Sequence, residues 1–170
     1  MDLATGRKPA GRGDLERRLS ELAIETSAVE HPPVFTVEDA RALRGEIAGG
    51  HCKNLFLKDK KDRIWLVVCL EETQIDLKRL PSQIGSARLS FGRPELLAEV
   101  LGVAPGSVTP FALINDAERR VNVVLEAEMM RHEVLNYHPL VNSATMSIRA
   151  ADLIRFIRAC GHEPSLVELG

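Results

Sequence analysis

The sequence has few of the residues on which several common kinds of site depend. Only three cysteines occur among 170 residues, and they lie far apart, at Cys52, Cys69 and Cys160. No C-x-x-C pair is present, which excludes a zinc ribbon and a thioredoxin-type motif. We expect Cys69, inside an apolar run, and Cys160, at a helix end, to be small buried hydrophobic residues.

The chain also lacks long apolar runs and a charge excess. No run approaches the roughly 20 apolar residues that span a bilayer, and residues 1–13 show no signal-peptide pattern. We therefore expect a cytoplasmic protein without membrane contact. The formal net charge of −2 argues against broad nucleic-acid binding, and no helix-turn-helix suggests DNA. A small local contact stays possible, although the basic cluster LKDKKDR is typical of a solvated turn.

Several catalytic motifs are missing as well. The sequence contains no P-loop, no G-x-G-x-x-G after a strand and no H-E-x-x-H. Cys52 beside Lys53 suggests an activated thiol, but neighbours in a strand point to opposite faces, so a nucleophilic Cys52 is disfavoured. No metal and no cofactor are expected, because ligand spacing is absent among the five histidines, His31, His51, His132, His138 and His162.

Composition and pattern predict the fold class. With 45% hydrophobic and 27% charged residues, the chain is typical of a globular protein. We expect residues 1–13 to form a flexible tail and residues 14–170 a single domain. Helical and strand patterns do not alternate strictly. This favours an α+β fold, with a mixed, mostly antiparallel sheet flanked by helices.

Local signals predict individual elements. Asp14 is a candidate N-cap for the first helix, and Thr36 with Asp39 a capping box for a second, which Gly49-Gly50 would end. Later helices are predicted in RPELLAEVLG and RAADLIRFIRACG. KNLFLKD with RIWLVVCL predicts one hairpin, and FALIND with RRVNVVLEA a second.

Three polar stretches are candidates for chemistry. Lys53-Asn54 opens the first hairpin strand, and an amine with an amide can bind phosphate, ribose hydroxyls or a carbonyl. GSVTP, residues 106–110, offers a glycine-anchored loop whose backbone can approach a ligand closely. In NYHPLVNSATMS, His138 precedes a proline and is held extended, and Asn142, Ser143 and Thr145 follow. Each stretch alone is also typical of an ordinary turn or surface.

Taken together, these stretches resemble a known family. GGHCKNLFLKDKKDRIWLVV, PGSVTPFALIND, RVNVVLEAEMMRHEVLNYHPLVNSATMSI and DLIRFIRACGHEP occur in the order typical of the YbaK/aminoacyl-tRNA deacylase superfamily. More narrowly, they resemble the free-standing relatives of the prolyl-tRNA synthetase insertion domain, which hydrolyse alanyl-tRNA(Pro). The resemblance covers about residues 14–169 and implies a curled, mixed sheet with helices around it.

The resemblance also implies a site. Lys53 matches the signature lysine, Gly106 begins the G-x-x-x-P loop, and His138 lines the pocket from the far side, so these three are the expected catalytic residues. Cys52 departs from the pattern, standing where a hydroxyl or other small residue is expected. Substrate binding is expected from Asn54, Ser107, Pro110, Asn142, Phe35 and Phe111. Candidates to line an acyl pocket are Val34, Phe35, Leu55, Phe111 and Leu113.

The implied substrate is the acceptor end of tRNA(Pro), with prolyl-tRNA synthetase as a possible transient partner. A synthetase pocket built for proline excludes smaller alanine poorly, since a missing methylene is worth only about 1–3 kcal/mol. No Ser-His-Asp set is visible, which favours catalysis by positioning and electrostatics. Two alternatives stay open: deacylation of another misacylated tRNA, carrying cysteine, serine or threonine, or a noncatalytic module that binds tRNA or a synthetase.

Overall fold

The described strands of this protein join into one mixed sheet. A computed structural model describes residues 8–33 and 47–170. The described strands are β1 (Thr26–Glu30), β2 (Gly50–Asp59), β3 (Ile64–Leu70), β4 (Leu89–Phe91), β5 (Val121–Glu126), β6 (Val134–Tyr137), β7 (Ala144–Arg149) and β8 (Ser165–Val167). Their order is β1-β7-β6-β2-β3-β5-β8, with β4 on β2.

The pairings confirm the predicted fold class. The antiparallel pairs are β1–β7, β6–β7, β2–β3 and β2–β4, and the parallel pairs are β2–β6, β3–β5 and β5–β8. The described α-helices are α1 (Arg12–Glu21), α2 (Leu80–Ile84), α3 (Pro94–Leu101) and α4 (Ala150–Ala159). The described residues also contain three short 3₁₀ helices, at Pro105–Ser107, Pro110–Asn115 and Met129–Arg131. Within these ranges, no helix is both long and apolar enough to cross a membrane.

The first predicted hairpin is confirmed and the second is wrong. β2 pairs with β3 from Cys52↔Leu70 to Lys58↔Ile64. FALIND, in contrast, lies in the 3₁₀ helix Pro110–Asn115, and β5 pairs in parallel with β3 instead. Proline at the first helical position fixes a helical φ, and the Thr109 hydroxyl accepts a hydrogen bond from Phe111 N at 3.3 Å. These local effects outweigh the strand propensity of the apolar run.

The helix ends follow local signals, with one correction. α1 begins at Arg12, two residues before the predicted N-cap, and Asp14 lies in its first turn. There its carboxylate accepts a hydrogen bond from Gly11 N at 2.9 Å, a favourable position for negative charge near a helix N-terminus. α3 ends as predicted at Gly102, whose φ of +67° is left-handed. The predicted second helix, with Thr36 and Asp39, lies outside the described residues.

Apolar side chains pack on both faces of the sheet. The larger cluster joins one face to α1, α3 and α4 through residues such as Leu15, Leu97 and Phe156. The smaller cluster includes Leu57 of β2 and Leu80 of α2. Alternation along β2 divides its side chains between these clusters. Cys69 is buried, as predicted.

A buried carboxylate organises the tip of the β2–β3 hairpin. Asp59 accepts hydrogen bonds from Lys61 N, Arg63 N, Arg63 Nε, Trp65 Nε1 and Ala87 N at 2.9 to 3.2 Å. Burial alone would raise its pKa, but these donors lower the pKa to about 2. Asp59 therefore fixes the basic turn to the segment that leads into β4.

Candidate active site

The sheet opens along one edge of β2. One edge of β2 pairs with β3. The opposite edge pairs with β6 only at Gly50 and His51, and with β4 from Leu57 to Asp59. Among the described residues, no strand pairs with it over residues 52–55. The two predicted site residues of β2 therefore lie at an opening in the sheet.

Strand register brings Lys53 and His138 to the same face at this opening. β2 and β6 run parallel, with Gly50 opposite Leu135 and His51 opposite Asn136. Lys53 lies two residues after His51, and His138 lies two residues after Asn136. Because side chains alternate with a period of two, both point to the face that His51 and Asn136 share. Each is half-buried.

A polar clamp holds β6 against the start of β2. The Asn136 amide donates to Ala48 O at 3.0 Å and to Gly50 O at 3.1 Å, and its oxygen accepts from Ser147 Oγ at 2.5 Å. Gly49 has a φ of +104°, and a Cβ there would lie 2.8 Å from Val134 O. Only glycine fits this close crossing, which explains the first glycine of the GGHCKN stretch.

His138 has a defined orientation. Its Nδ1 lies 2.9 Å from Ala144 O. A carbonyl oxygen only accepts, so Nδ1 carries the hydrogen, and in the neutral ring Nε2 is the acceptor. This leaves Nε2 suited to accept a hydrogen bond from a hydroxyl group.

A second histidine, His31, stands beside His138 and was not selected by the sequence analysis. The two ring centroids are 6.3 Å apart. His31 Nε2 lies 2.9 Å from Thr145 Oγ1, and His31 Nδ1 lies 2.8 Å from Pro32 O. The only local signal was that both histidines precede a proline. Their proximity depends on the pairing of β1 with β7, which no short motif encodes.

The glycine loop meets the turn that follows β6. A Cβ built on Gly106 would lie 3.6 Å from Asn142 Nδ2, so two predicted site residues distant in sequence are neighbours. Ser107 N donates to Ala104 O at 2.9 Å. Thr109 and Pro110 are buried beneath the loop. The loop is thus anchored at its end and open at Gly106.

Asn54 and the apolar candidates do not all share the face of Lys53. Asn54 alternates with Lys53 and points to the face of the larger cluster, where its Oδ1 is buried without a hydrogen-bond partner. Leu55 packs with the smaller cluster, whereas Leu113 and Phe111 belong to the larger one. Phe111 is fully buried, and its ring contacts the rings of Tyr137 and Phe156 edge-on.

These positions leave the acyl-pocket residues as predictions. Phe111 supports the glycine loop from the core, and its contact with a substrate stays a prediction. Val34 and Phe35 lie outside the described residues. Over residues 8–33 and 47–170, no group of three or more His, Cys, Asp or Glu side chains is placed to hold a metal ion.

Cys52 is poorly suited to act as a nucleophile. Burial raises its pKa to about 12, although hydrogen bonding with Tyr137 and Asn136 N acts in the opposite direction. The thiolate is the reactive form of cysteine, and it is scarce at neutral pH under these conditions. The side chain packs instead against the larger apolar cluster.

We therefore expect Cys52→Ala to retain ester hydrolysis within about twofold of wild type, because no thiolate chemistry is lost. The measurement is the rate of aminoacyl-tRNA deacylation, with Cys160→Ala as the matched control for loss of another half-buried thiol. A loss of a hundredfold or more in Cys52→Ala alone would assign the thiol a direct role.

Comparison with known proteins identifies the family to which this chain belongs. The model of the aminoacyl-tRNA editing domain family matches residues 31–156, a range that contains Lys53, Gly106 and His138. The chain belongs to the aminoacyl-tRNA editing domain family, which confirms the resemblance drawn from the motifs.

Individual relatives are similar over nearly their whole length. Prolyl-tRNA synthetase associated domain-containing protein 1 of Danio rerio is 42% identical over 158 residues, which cover 92% of this chain and 86% of that protein. Prolyl-tRNA editing protein ProX of Acetoanaerobium sticklandii is 37% identical over 153 residues, covering 89% and 93%. A crystal structure described as a proposed trans-editing enzyme for prolyl-tRNA synthetase has a TM-score of 0.68 at 20% identity, covering 94% of each chain. This last similarity supports the fold.

Proposed function

We propose that this protein is a trans-editing hydrolase that cleaves the ester of mischarged alanyl-tRNA(Pro), releasing alanine and free tRNA. The observation that carries the proposal is the shared face of Lys53 and His138 at the opening beside β2. Membership of the editing-domain family and the similarity to a prolyl-tRNA editing protein support the same reaction class.

In this proposal, Lys53 anchors the terminal adenosine or its phosphate. An ammonium group is a strong donor of hydrogen bonds to phosphate oxygens, and Lys53 is half-buried beside the smaller apolar cluster. Electrostatic attraction is stronger at such a partly desolvated position than in bulk water. The lysine thus positions the ester without forming a covalent bond to it.

Stabilisation of the developing oxyanion would come from the glycine loop. Backbone N–H groups near Gly106 can approach a carbonyl oxygen closely because no Cβ intervenes. Ser107 N is already engaged by Ala104 O, so the donors lie elsewhere in the loop. Asn142, next to Gly106, and Ser107 would line the same side of the substrate.

The attacking water would be activated by the free hydroxyl of the terminal ribose. His138 would orient that ribose through Nε2, since Nδ1 is held by Ala144 O. In this role His138 is not an obligatory base. Water attacks the ester carbonyl, the bond to the ribose oxygen breaks, and the ribose oxygen receives a proton, which gives alanine and tRNA.

The proposal is tested by the acyl specificity of deacylation. Purified protein is incubated with tRNA(Pro) charged separately with alanine, proline, cysteine, serine or threonine, and loss of each ester is followed over time. We expect fast loss of alanine and little loss of proline. Preferential loss of cysteine, serine or threonine would keep the chemistry and change the substrate. Tight tRNA binding without loss of any ester would instead favour the noncatalytic module.

A further inference from the structure

A basic surface lies at the far end of β2 from the candidate site. It is formed by the hairpin tip and the segment through β4, which Lys60 N joins by donating to Arg88 O at 3.0 Å. We call it the hairpin-tip patch, and its members are Lys58, Lys60, Lys61, Arg88, Arg93 and Phe91. All six side chains are exposed.

Charge is concentrated in this patch. Its five basic residues stand beside three exposed acidic residues, Asp62, Glu95 and Glu99, in a chain whose formal net charge is −2. Asp62 pairs with Lys58 at 3.2 Å, and Glu99 pairs with Arg120 at 3.0 Å. The remaining acidic residue of the turn, Asp59, is buried and hydrogen-bonded to Arg63. The turn therefore presents its cations outward while one of its anions is withdrawn from the surface.

An aromatic ring is exposed within the patch. Phe91 is 63% exposed and pairs with Leu57 across β4 and β2. It contributes, with Lys58 and Arg93, to the lining of a groove of about 920 Å³. An exposed ring among cations is the combination that binds single-stranded nucleic acid, since bases stack on the ring and phosphates contact the cations.

The patch is aligned with the candidate site. Directly opposite residues of paired strands share a face, so Phe91 points to the same face as Leu57 and, by alternation, Lys53. Leu57 lies four positions after Lys53, a distance of about 13 Å at the rise per residue of a strand. That face is covered at Leu57, which is fully buried in the smaller apolar cluster. Phe91, however, is the residue of β4 nearest the opening beside β2, so a short single strand whose end lies at Lys53 can pass along this edge of the sheet to Phe91 and the cations.

We propose that the hairpin-tip patch binds the RNA backbone adjoining the acceptor end of the substrate, with Phe91 as a stacking platform. This inference rests on the proposed function, in which an aminoacylated RNA end occupies the site at Lys53. A second copy of this chain fits the patch less well, because Arg88 and Arg93 flank the short edge strand β4. Like charges of two copies would repel there.

The test compares two esters that differ only in the RNA. One is alanyl-tRNA(Pro) and the other is 3′-O-alanyl-adenosine, which reaches the site but lacks the RNA body. The variants are the double charge reversal Lys60→Glu with Arg88→Glu, and Phe91→Ser. Arg17→Glu is the control for charge reversal elsewhere on the surface, since Arg17 is an exposed arginine on α1, outside the patch.

For the patch variants we expect kcat/KM on alanyl-tRNA(Pro) to fall at least tenfold, mainly through KM, while hydrolysis of alanyl-adenosine is unchanged. The salt dependence of tRNA binding should also become shallower by about one unit for each lost phosphate contact. Arg17→Glu should change neither ester. Unchanged kinetics on tRNA, or a parallel loss on both esters, would overturn the inference.

Two further readouts separate the inference from the proposed function. If wild type hydrolyses neither ester, the proposed function fails. The dissociation constant for uncharged tRNA(Pro) then tests RNA binding by the patch. Weaker binding by the charge-reversal variant than by wild type supports the inference, and equal binding overturns it. Sedimentation of the same proteins addresses self-association. A wild-type dimer that the charge reversal dissociates, with tRNA affinity unchanged, would assign the patch to a second copy and overturn RNA binding.

Discussion

Lys53→Ala is expected to lower kcat/KM for alanyl-tRNA(Pro) by about 10²–10³-fold, the loss typical of removing one preorganised electrostatic contact. The reason is positional: Lys53 is the cation at the opening of the sheet, on the same face as His138. The fold should persist, because the side chain is half-buried at an edge that carries no partner strand among the described residues. The measurement is the rate of deacylation beside thermal unfolding.

The control for this result is Lys78→Ala. Lys78 is an exposed lysine outside the site, and its loss removes the same charge from the chain. We expect the control to hydrolyse the ester at the wild-type rate and both variants to unfold near the wild-type temperature. If Lys53→Ala retains activity within twofold, Lys53 does not hold the substrate.

Asp116→Ala is expected to cause the largest loss of stability, about 3–5 kcal/mol, because it leaves three hydrogen-bond donors without their acceptor and each buried unpaired donor costs about 1–3 kcal/mol. Asp116 accepts hydrogen bonds from His162 Nε2 at 2.8 Å, Arg120 N at 3.0 Å and Val121 N at 2.9 Å. Both side chains of the pair are at most 3% exposed. The carboxylate therefore joins the start of β5 to the end of α4, and urea unfolding measures its loss.

The same variant has a defined dependence on pH. Burial alone would raise the pKa of Asp116, but hydrogen bonds from His162 and from the two backbone groups lower it overall. A carboxyl whose folded-state pKa is depressed stabilises the protein above its unfolded value, near 3.9, and loses that contribution as the pH falls further. The difference in unfolding free energy between wild type and Asp116→Ala should therefore shrink below about pH 4.

Glu163→Ala serves as the comparison, since its exposed carboxylate pairs with Arg158 on the surface. Surface ion pairs contribute little, so its effect should be far smaller than that of Asp116→Ala. Equal effects of the two substitutions would show that the buried pair with His162 has no special role in stability.

The sequence predicted correctly those elements whose structure is determined by neighbouring residues. The β2–β3 hairpin follows from apolar runs around a polar turn, and the end of α3 follows from Gly102, which adopts a left-handed φ. It failed in FALIND, where Pro110 and Thr109 impose a 3₁₀ helix on residues with strand propensity. It also predicted the start of α1 two residues too late, because an aspartate is favourable in the first turn of a helix as well as at the N-cap.

The candidate site was predictable in part for the same reason. Lys53, Gly106 and His138 belong to short motifs, so a resemblance could select them. His31 and the Asp116–His162 pair could not be selected, since their contacts join residues 107 and 46 positions apart along the chain. Phe91 gave no signal either, because its exposure depends on the short edge strand β4.

The most direct test of trans-editing measures correction of a synthetase error. A prolyl-tRNA synthetase without editing activity is supplied with tRNA(Pro) and either alanine or proline, and the acylated fraction is followed with and without this protein. We expect the alanylated fraction to fall toward zero while the prolylated fraction is unchanged, and Lys53→Ala to leave both unchanged. An alanylated fraction that persists, or an equal loss of both esters, would contradict the proposed function.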